Sequence, residues 1–104
     1  MIIKNIVTIG DSVSFGNNVS IISASGPNNS HLSQHPDLVV NTIKTAPVNI
    51  RNDSWIGSGA IFLPEITVGE MSLIGAGSVV TKDISPYSVV AGVPGKVIRT
   101  LKNN

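Results

Sequence analysis

Large apolar residues recur at every sixth position in two stretches of this chain, and a small or aliphatic residue follows each of them four positions later. An α-helix spaces its apolar residues about 3.6 apart, and a half-buried strand alternates with a period of about two. Neither spacing explains a period of six, so the pattern predicts a solenoid of short strands. The six-residue positions are Ile3, Ile9, Phe15 and Ile21 in the first stretch, and Ile50, Ile56, Phe62, Val68, Ile74 and Val80 in the second. The followers are Val7, Val13, Val19, Ser25, Ser54, Ala60, Ile66, Ser72, Ser78 and Ile84.

Each six-residue unit is expected to form one side of a coil, and three sides close a triangular turn. The apolar position and its follower then fill the interior, where burying one large aliphatic side chain contributes roughly 1.5–3 kcal/mol. Glycine comes directly after several of the apolar positions, which predicts corners whose backbone dihedrals exclude residues with a Cβ atom. These glycines are Gly10, Gly16, Gly57, Gly69 and Gly75.

Two parts of the chain break this register, within what we predict to be a single domain over residues 1–104. The step from Ile21 to Ile50 is not a multiple of six, and residues 26–36 are polar apart from glycine, proline and one leucine. Such a stretch cannot fill an interior, so residues 22–47 are predicted to leave the coil as an extruded loop. Residues 86–104 are predicted to form a C-terminal cap. In this cap prolines and glycines end the coil, and residues 96–101 form a short helix or strand over the last rung.

Composition narrows the possible partners. The 104 residues carry a formal net charge of +1, and charged residues make up only 12% of the chain. This balance gives no basic face for nucleic acid, which we therefore do not expect as a partner. The absence of cysteine excludes disulfides and thiolate metal sites. Residues 1–7 are too short and too interrupted for a signal peptide or a membrane span, so we predict a cytoplasmic protein without a membrane partner.

Glycine-rich motifs occupy four segments of the chain, at residues 9–19, 55–60, 74–83 and 89–99. The third reads Ile-Gly-Ala-Gly-Ser-Val-Val-Thr-Lys-Asp, and the fourth contains Ala-Gly-Val-Pro-Gly-Lys-Val-Ile-Arg. Together these segments resemble the hexapeptide-repeat acyltransferases, in particular the maltose, galactoside and streptogramin O-acetyltransferases. The resemblance implies a left-handed parallel β-helix, a homotrimer, and acetyl-CoA as the donor substrate without any metal. It further implies that the chain lacks the family's N-terminal coils, which contribute residues that bind the acceptor.

Matching positions of the family's groove imply a set of residues that bind the acetyl-CoA. Backbone groups of Ser58 and Ala76 match positions that hydrogen-bond the pantetheine arm, although both residues also fit as plain rung positions. Thr81 and Lys82 match the phosphate end, where exposed amides and cations favour an anion. Lys96 and Arg99 match basic residues near the nucleotide phosphates, and Trp55 completes the set. Trp55 fits the acyl end of the groove or packing over the loop, and without the motif the cations Lys82, Lys96 and Arg99 read as solvated surface charges.

Acetyl transfer to a hydroxyl needs a base that removes the hydroxyl proton, and histidine is the side chain best suited to this near neutral pH. Both histidines of the chain, His31 and His35, lie in the predicted loop. The resemblance favours His31 as the base because of its distance from Trp55. His35 remains the alternative, because Pro36 follows it. Two histidines four residues apart could also bind a metal, although no helix pattern supports such a site.

Three functions therefore compete. The first is an acetyl-CoA-dependent O-acetyltransferase whose acceptor is a hydroxyl of a saccharide or a similar small molecule. The second is a short trimeric solenoid that binds CoA or serves as a structural protein without efficient catalysis. The third is an N-acetyltransferase that acts on an amino sugar.

Overall fold

The computed structural model describes residues 7–22, 24–25, 44–45 and 47–102. Every regular element within these ranges is a strand. No helix there is long and apolar enough to cross a membrane. The strands are β1 Val7–Ile9, β2 Ser14–Phe15, β3 Ser20–Ile21, β4 Ala24–Ser25, β5 Lys44–Thr45, β6 Val48–Ile50, β7 Trp55–Ile56, β8 Ile61–Phe62, β9 Thr67–Val68, β10 Leu73–Ile74, β11 Val79–Val80, β12 Ser88–Ala91 and β13 Lys96–Thr100.

Three sheets form the three sides of the solenoid. Wall A contains β1, β6 and β9; wall B contains β2, β7, β10, β12 and β13; wall C contains β3, β8 and β11. Strands of successive coils pair in parallel, and this pairing places Ile9 opposite Ile50 and Ile50 opposite Val68. Six-residue positions therefore stack on one another from coil to coil. This arrangement is a left-handed parallel β-helix of hexapeptide repeats, which confirms the predicted fold class.

The interior is filled as the six-residue pattern predicts along the second stretch. Phe62, Ile56 and Ile74 are fully buried, and the five followers from Ser54 to Ser78 are buried as well. Buried serine hydroxyls are satisfied by backbone carbonyls: Ser54 donates to Gly69 at 3.2 Å. Because this pairing uses the carbonyl of the next coil, a serine can occupy the interior without leaving a buried polar group unpaired.

The first coil differs because it forms one end of the described stack. Val7, Ile9 and Phe15 are 40%, 47% and 40% exposed, although their positions in the pattern are interior. Each of the strands β1, β2 and β3 has one neighbouring strand among the described residues. The period of six thus identified these residues as coil positions, whereas their burial depends on a neighbour on the far side.

Close contact between coils explains four of the five glycines after the apolar positions, and the contact is looser at Gly75. None of the five has a positive φ, so the expectation of special dihedrals there was wrong. Among the residues that the structure describes, the glycines with positive φ are Gly59, Gly77 and Gly92, and none of them belongs to the five. A Cβ atom added to Gly57 would lie 2.6 Å from the backbone nitrogen of Ala76 in the next coil. Since strands of adjacent coils stack about 4.8 Å apart, there is no room for a side chain that points along the axis.

Coil length changes once within the second stretch. Phe62 lies opposite Val80, three six-residue units further along the chain, but Val68 pairs with Ile84, which makes that coil two residues shorter. Ile84 therefore occupies the next six-residue position and is not the follower of Val80, as the sequence pattern had suggested. Val90 follows it by six and lies opposite Ile74. The coil thus continues through β12, and Pro86 does not end it.

The C-terminal segment closes the end of the solenoid with a strand. β13 runs antiparallel to β12, with Arg99 opposite Val89. Between these strands the turn from Gly92 to Gly95 crosses the end of wall C, where the Gly95 amide donates to the Val79 carbonyl at 2.7 Å. Of the two predicted forms of the segment, helix or strand, the strand is the one present.

A two-stranded neck marks the long insertion. β4 and β5 are antiparallel, with Ala24 opposite Thr45 and Ser25 opposite Lys44. Ile21 lies opposite Phe62, so this coil is more than twice as long as the regular coil that leads from Phe62 to Val80. The insertion accounts for the whole difference, because the strands on either side of it keep their register. The interior of the predicted loop, residues 26–43 with both histidines, lies outside the described residues.

Candidate functional site

Wall B carries an outward column that includes two of the predicted cofactor residues. Trp55 is 61% exposed and precedes the fully buried Ile56, so its indole lies on the outer face. The register places Trp55 beside Leu73, Leu73 beside Val89, and Val89 beside Arg99. Residues directly opposite share a face of the sheet, so Trp55 and Arg99 lie on the same outer surface, three strands or roughly 14 Å apart.

Ser58 and Ala76 stack at the corner between walls B and C, one coil apart. Both are exposed. The Gly77 amide donates to the Ser58 carbonyl at 2.9 Å, and the Asn17 amide donates to the Ser58 hydroxyl at 3.0 Å. The carbonyl and the hydroxyl of Ser58 therefore already bind the neighbouring coils. The Ser58 side chain thus has a structural contact that sequence reasoning, which considered its backbone alone, had missed.

Thr81, Lys82 and Lys96 come together at the corner between walls C and A. They line one open cavity of about 260 Å³, together with the proline and glycine of the capping turn. Its lining residues are Thr81, Lys82, Asp83, Ile84, Pro94, Gly95, Lys96 and Val97. Two cations that are well separated in sequence thus face one space. Arg99 lies on the same strand as Lys96, but it is absent from this lining and lies opposite Val89.

A second, larger cavity of about 500 Å³ lies at the same corner. It is lined by residues 63–66 of the preceding coil and by Thr81, Lys82 and Asp83, which therefore separate the two cavities. Sequence reasoning did not single out Asp83 or residues 63–66. The signal that marks this corner is the spacing of four residues between Val80 and Ile84, where six is the rule.

The described residues contain no group of three or more histidines, cysteines, aspartates or glutamates placed to hold a metal ion. His31 and His35 lie outside the described residues, so their roles as base or as metal ligands remain sequence-based predictions. The seven predicted cofactor residues thus form three groups. Trp55 and Arg99 lie on the outer face of wall B, and Ser58 and Ala76 stack at one corner of wall C. Thr81, Lys82 and Lys96, the first residue of β13, line the cavity at the opposite corner.

The family model for the bacterial transferase hexapeptide, with six repeats, matches residues 47–82. This range begins where the chain re-enters the coil after the insertion and ends at Lys82. The chain belongs to the hexapeptide-repeat transferases. The match includes Ser58, Ala76, Thr81 and Lys82, and it ends before the C-terminal cap.

Known hexapeptide-repeat transferases cover most of this chain. The galactoside O-acetyltransferase of Escherichia coli K12 is 41% identical over 97 residues, which are 93% of this chain and 45% of that protein. The crystal structure of a maltose O-acetyltransferase from Clostridium difficile 630 has 41% identity and a TM-score of 0.77, covering 93% of this chain and 49% of the other. A Vibrio cholerae hexapeptide-repeat acetyltransferase complexed with acetyl-CoA has 31% identity and a TM-score of 0.79, covering 93% and 50%. This chain therefore spans about half the length of these relatives.

Proposed function

We propose that this hexapeptide-repeat transferase uses acetyl-CoA to acetylate a hydroxyl group of a saccharide or a similar small acceptor. The observation that carries the proposal is the corner cavity in which Lys82 and Lys96 converge. A solenoid that only stacks coils has no need for two cations around one open space. The identity to a galactoside O-acetyltransferase over 93% of the chain supports the saccharide class of acceptor.

The phosphates of the donor are assigned to the corner between walls C and A. Lys82 and Lys96 supply positive charge there, and the exposed Thr81 adds a hydroxyl. Hydrogen bonds to charged groups contribute about 1.5–3 kcal/mol each, which suits the recognition of a phosphate. Wall C then offers a surface between this corner and the stacked residues Ser58 and Ala76, whose backbone groups are assigned to the pantetheine arm.

Trp55 and Arg99 belong to a different surface of the same protomer, the outer face of wall B. We assign Trp55 to the acyl end and Arg99 to the nucleotide phosphates, so one CoA molecule must contact residues of two different sides. A groove between neighbouring protomers would meet this requirement. The exposed apolar side chains of Val93 and Ile98, 72% and 66% exposed, support the same view.

A homotrimer with C3 symmetry is therefore part of the proposal. Sedimentation equilibrium at micromolar protomer concentration should give three times the mass of the chain. A stable monomer that still binds CoA would show that one protomer is sufficient for CoA binding. The proposed groove between protomers would then be wrong.

The chemistry requires one base. His31 removes the proton of the acceptor hydroxyl as its oxygen attacks the acetyl carbonyl carbon; the carbon–sulfur bond of the thioester then breaks, and CoA leaves as the thiol after taking up a proton. His35 is the alternative base. General-base catalysis typically contributes about 100- to 10,000-fold, so the histidine that acts should dominate the activity.

A thiol-release assay with acetyl-CoA and a panel of sugars tests the activity, and scoring ester against amide products separates O-acetylation from N-acetylation. Binding of CoA, measured by calorimetry, tests the cavity separately. Lys82→Ala and Lys96→Ala should each weaken binding by about tenfold or more, since tenfold corresponds to about 1.4 kcal/mol. Lys102→Ala is the matched control, because this exposed lysine lies outside the cavity lining.

Unchanged CoA affinity in both cavity variants would return these lysines to the role of surface charges. CoA binding without turnover of any acceptor would favour the trimeric solenoid without efficient catalysis. The cytoplasmic location stays a prediction, which cell fractionation would check.

A further inference from the structure

The corner between Val80 and Ile84 is built differently from the other corners of the coil. Apart from the corner after Ile21, where the long insertion leaves the coil, the other corners between described sides of the coil place a residue with positive φ three positions after the apolar residue, as at Asp53, Glu65 and Met71. Between Val80 and Ile84 the chain has three residues instead of five, and none of these three has a positive φ. The two-residue turn that shapes the other corners is therefore missing, at the place where Thr81 and Lys82 face the proposed donor.

A shortened side removes a backbone acceptor from the ladder of wall A. In the regular coils, the residue directly before a six-residue position donates its amide to the carbonyl of a follower in the next coil. Asn49 donates to Ile66 at 2.9 Å, and Ile61 donates to Ser78 at 2.9 Å. Thr67 directly precedes Val68, so by the same rule its amide should donate to the carbonyl of a follower in the next coil, just before the six-residue position of that coil. The deletion has moved Ile84 into that six-residue position, so this follower does not exist.

Asp83 supplies the missing acceptor with its side chain. Its Oδ1 atom accepts the Thr67 amide at 2.8 Å, while the Ile84 amide donates to the Thr67 carbonyl at 2.9 Å. Both backbone groups of Thr67 are thus bound by two consecutive residues of the short side. A carboxylate oxygen has taken the place of a main-chain carbonyl, which fixes the position of the chain immediately after Lys82.

We propose that Asp83 is a positioning residue for phosphate binding: by replacing the lost ladder carbonyl it holds Thr81 and Lys82 beside the turn that leads into Lys96. This inference rests on the proposed function, because the phosphate belongs to the CoA donor. The charge of Asp83 alone would act in the opposite direction, since a carboxylate in the lining of the cavity repels a phosphate. A positioning role therefore predicts that CoA binds more weakly when the acceptor oxygen of Asp83 is removed. An effect of charge alone predicts that CoA binds more tightly when the carboxylate is removed.

Calorimetric titration of CoA into the full chain separates the two effects. Asp83→Asn keeps a carbonyl oxygen at the acceptor position and removes the charge, so it should bind CoA as tightly as the wild type or more tightly. Asp83→Ala removes the acceptor and should weaken binding by about tenfold, the scale of one hydrogen bond to a charged group. Asp53→Asn is the charge control, at a corner between walls A and B where it lines neither cavity that contains Lys82.

Two further measurements keep the test decisive. Asp83→Glu retains the charge but moves the acceptor by one methylene, so it should bind CoA as weakly as the alanine variant; it replaces that variant if alanine does not fold. Hydrogen exchange of the Thr67 amide should be faster in Asp83→Ala and unchanged in Asp83→Asn.

The inference is overturned by equal tightening in the asparagine and alanine variants, which would leave charge as the whole effect, or by wild-type affinity in the alanine or glutamate variant. If the wild-type chain itself does not bind CoA, the proposed function fails and this inference fails with it. Wild-type binding with an unaffected Asp83→Ala variant would overturn the inference alone.

Discussion

Replacing Gly57 with alanine tests whether contact between coils sets the glycine positions. The new Cβ would lie 2.6 Å from the nitrogen of Ala76 and 2.8 Å from the carbonyl oxygen of Ile74, both backbone atoms of the next coil. Backbone atoms held in a ladder cannot move aside as a flexible side chain can. The whole stack would have to open locally, at a point where the two coils are joined on all three walls.

The expected loss of stability follows from two opposing terms. Overpacking by one methyl group costs about 1–3 kcal/mol, and the rigid neighbours place Gly57→Ala at the upper end. Restricting the unfolded chain returns about 0.4–1 kcal/mol, which leaves a net loss of roughly 2 kcal/mol. For a domain of this size such a loss lowers the melting temperature by roughly 10 °C.

Two other glycines serve as matched controls. At Gly75 the nearest atom to an added Cβ is at 3.1 Å and the next at 3.5 Å, so the same substitution should cost much less. At Gly77 nothing lies within 4 Å, but φ is +71°, so alanine there carries only the left-handed penalty of about 1–2 kcal/mol, offset by the same gain. The expected order of destabilisation is Gly57, then Gly77, then Gly75.

Thermal unfolding followed by far-UV circular dichroism, at one protomer concentration for all variants, measures this order. A Gly57→Ala protein that is as stable as the Gly75→Ala protein would refute the argument from coil spacing. If Gly77→Ala proved the most damaging of the three, backbone dihedrals rather than contact between coils would explain the glycines.

Three further predictions concern the core, a buried serine and the base. Phe62→Ala should cost about 3–5 kcal/mol in urea unfolding because the ring is fully buried, whereas Phe15→Ala, at 40% exposure, should cost clearly less; equal losses would contradict the burial pattern. Ser78→Ala should cost about 1 kcal/mol by the same method, since its hydroxyl donates at 2.9 Å to the carbonyl of the capping turn. No loss there would mean that this bond adds no net stability. In the thiol-release assay, His31→Ala should lower turnover by about 100-fold or more and His35→Ala by less, with CoA affinity unchanged in both; the reverse ranking would make His35 the base.

The period of six was enough to predict the coils of the second stretch, because each buried position and its follower repeat the same contact with the coils above and below. It failed at Ile84, since an isoleucine there satisfies two assignments at once: the follower of Val80, and the next interior position of a shortened coil. Both assignments bury an aliphatic side chain, so hydrophobicity cannot distinguish them. The pairing with Val68 does.

The candidate site was predictable in part for a similar reason. Lys82 and Lys96 belong to sequence motifs, but their convergence depends on the turn that crosses wall C, which no local pattern describes. Arg99 shows the opposite case: Lys96 and Arg99 lie on the same strand, β13, but Lys96 lines the corner cavity whereas Arg99 lies opposite Val89 on the outer face of wall B. Closeness in sequence beyond the end of the coil therefore does not show that two side chains line the same cavity.

The antiparallel neck formed by β4 and β5 makes the solenoid a scaffold with an interchangeable segment. The coils on either side of it keep the register that they would have without the inserted residues, so the scaffold does not depend on what the neck carries. Lengthening such a closed segment is inexpensive, since each doubling of loop length adds only about 0.6 kcal/mol of closure entropy. Foreign peptides grafted between Ser25 and Lys44 should therefore leave the walls intact, which makes this neck a natural site at which to give one solenoid a new chemistry.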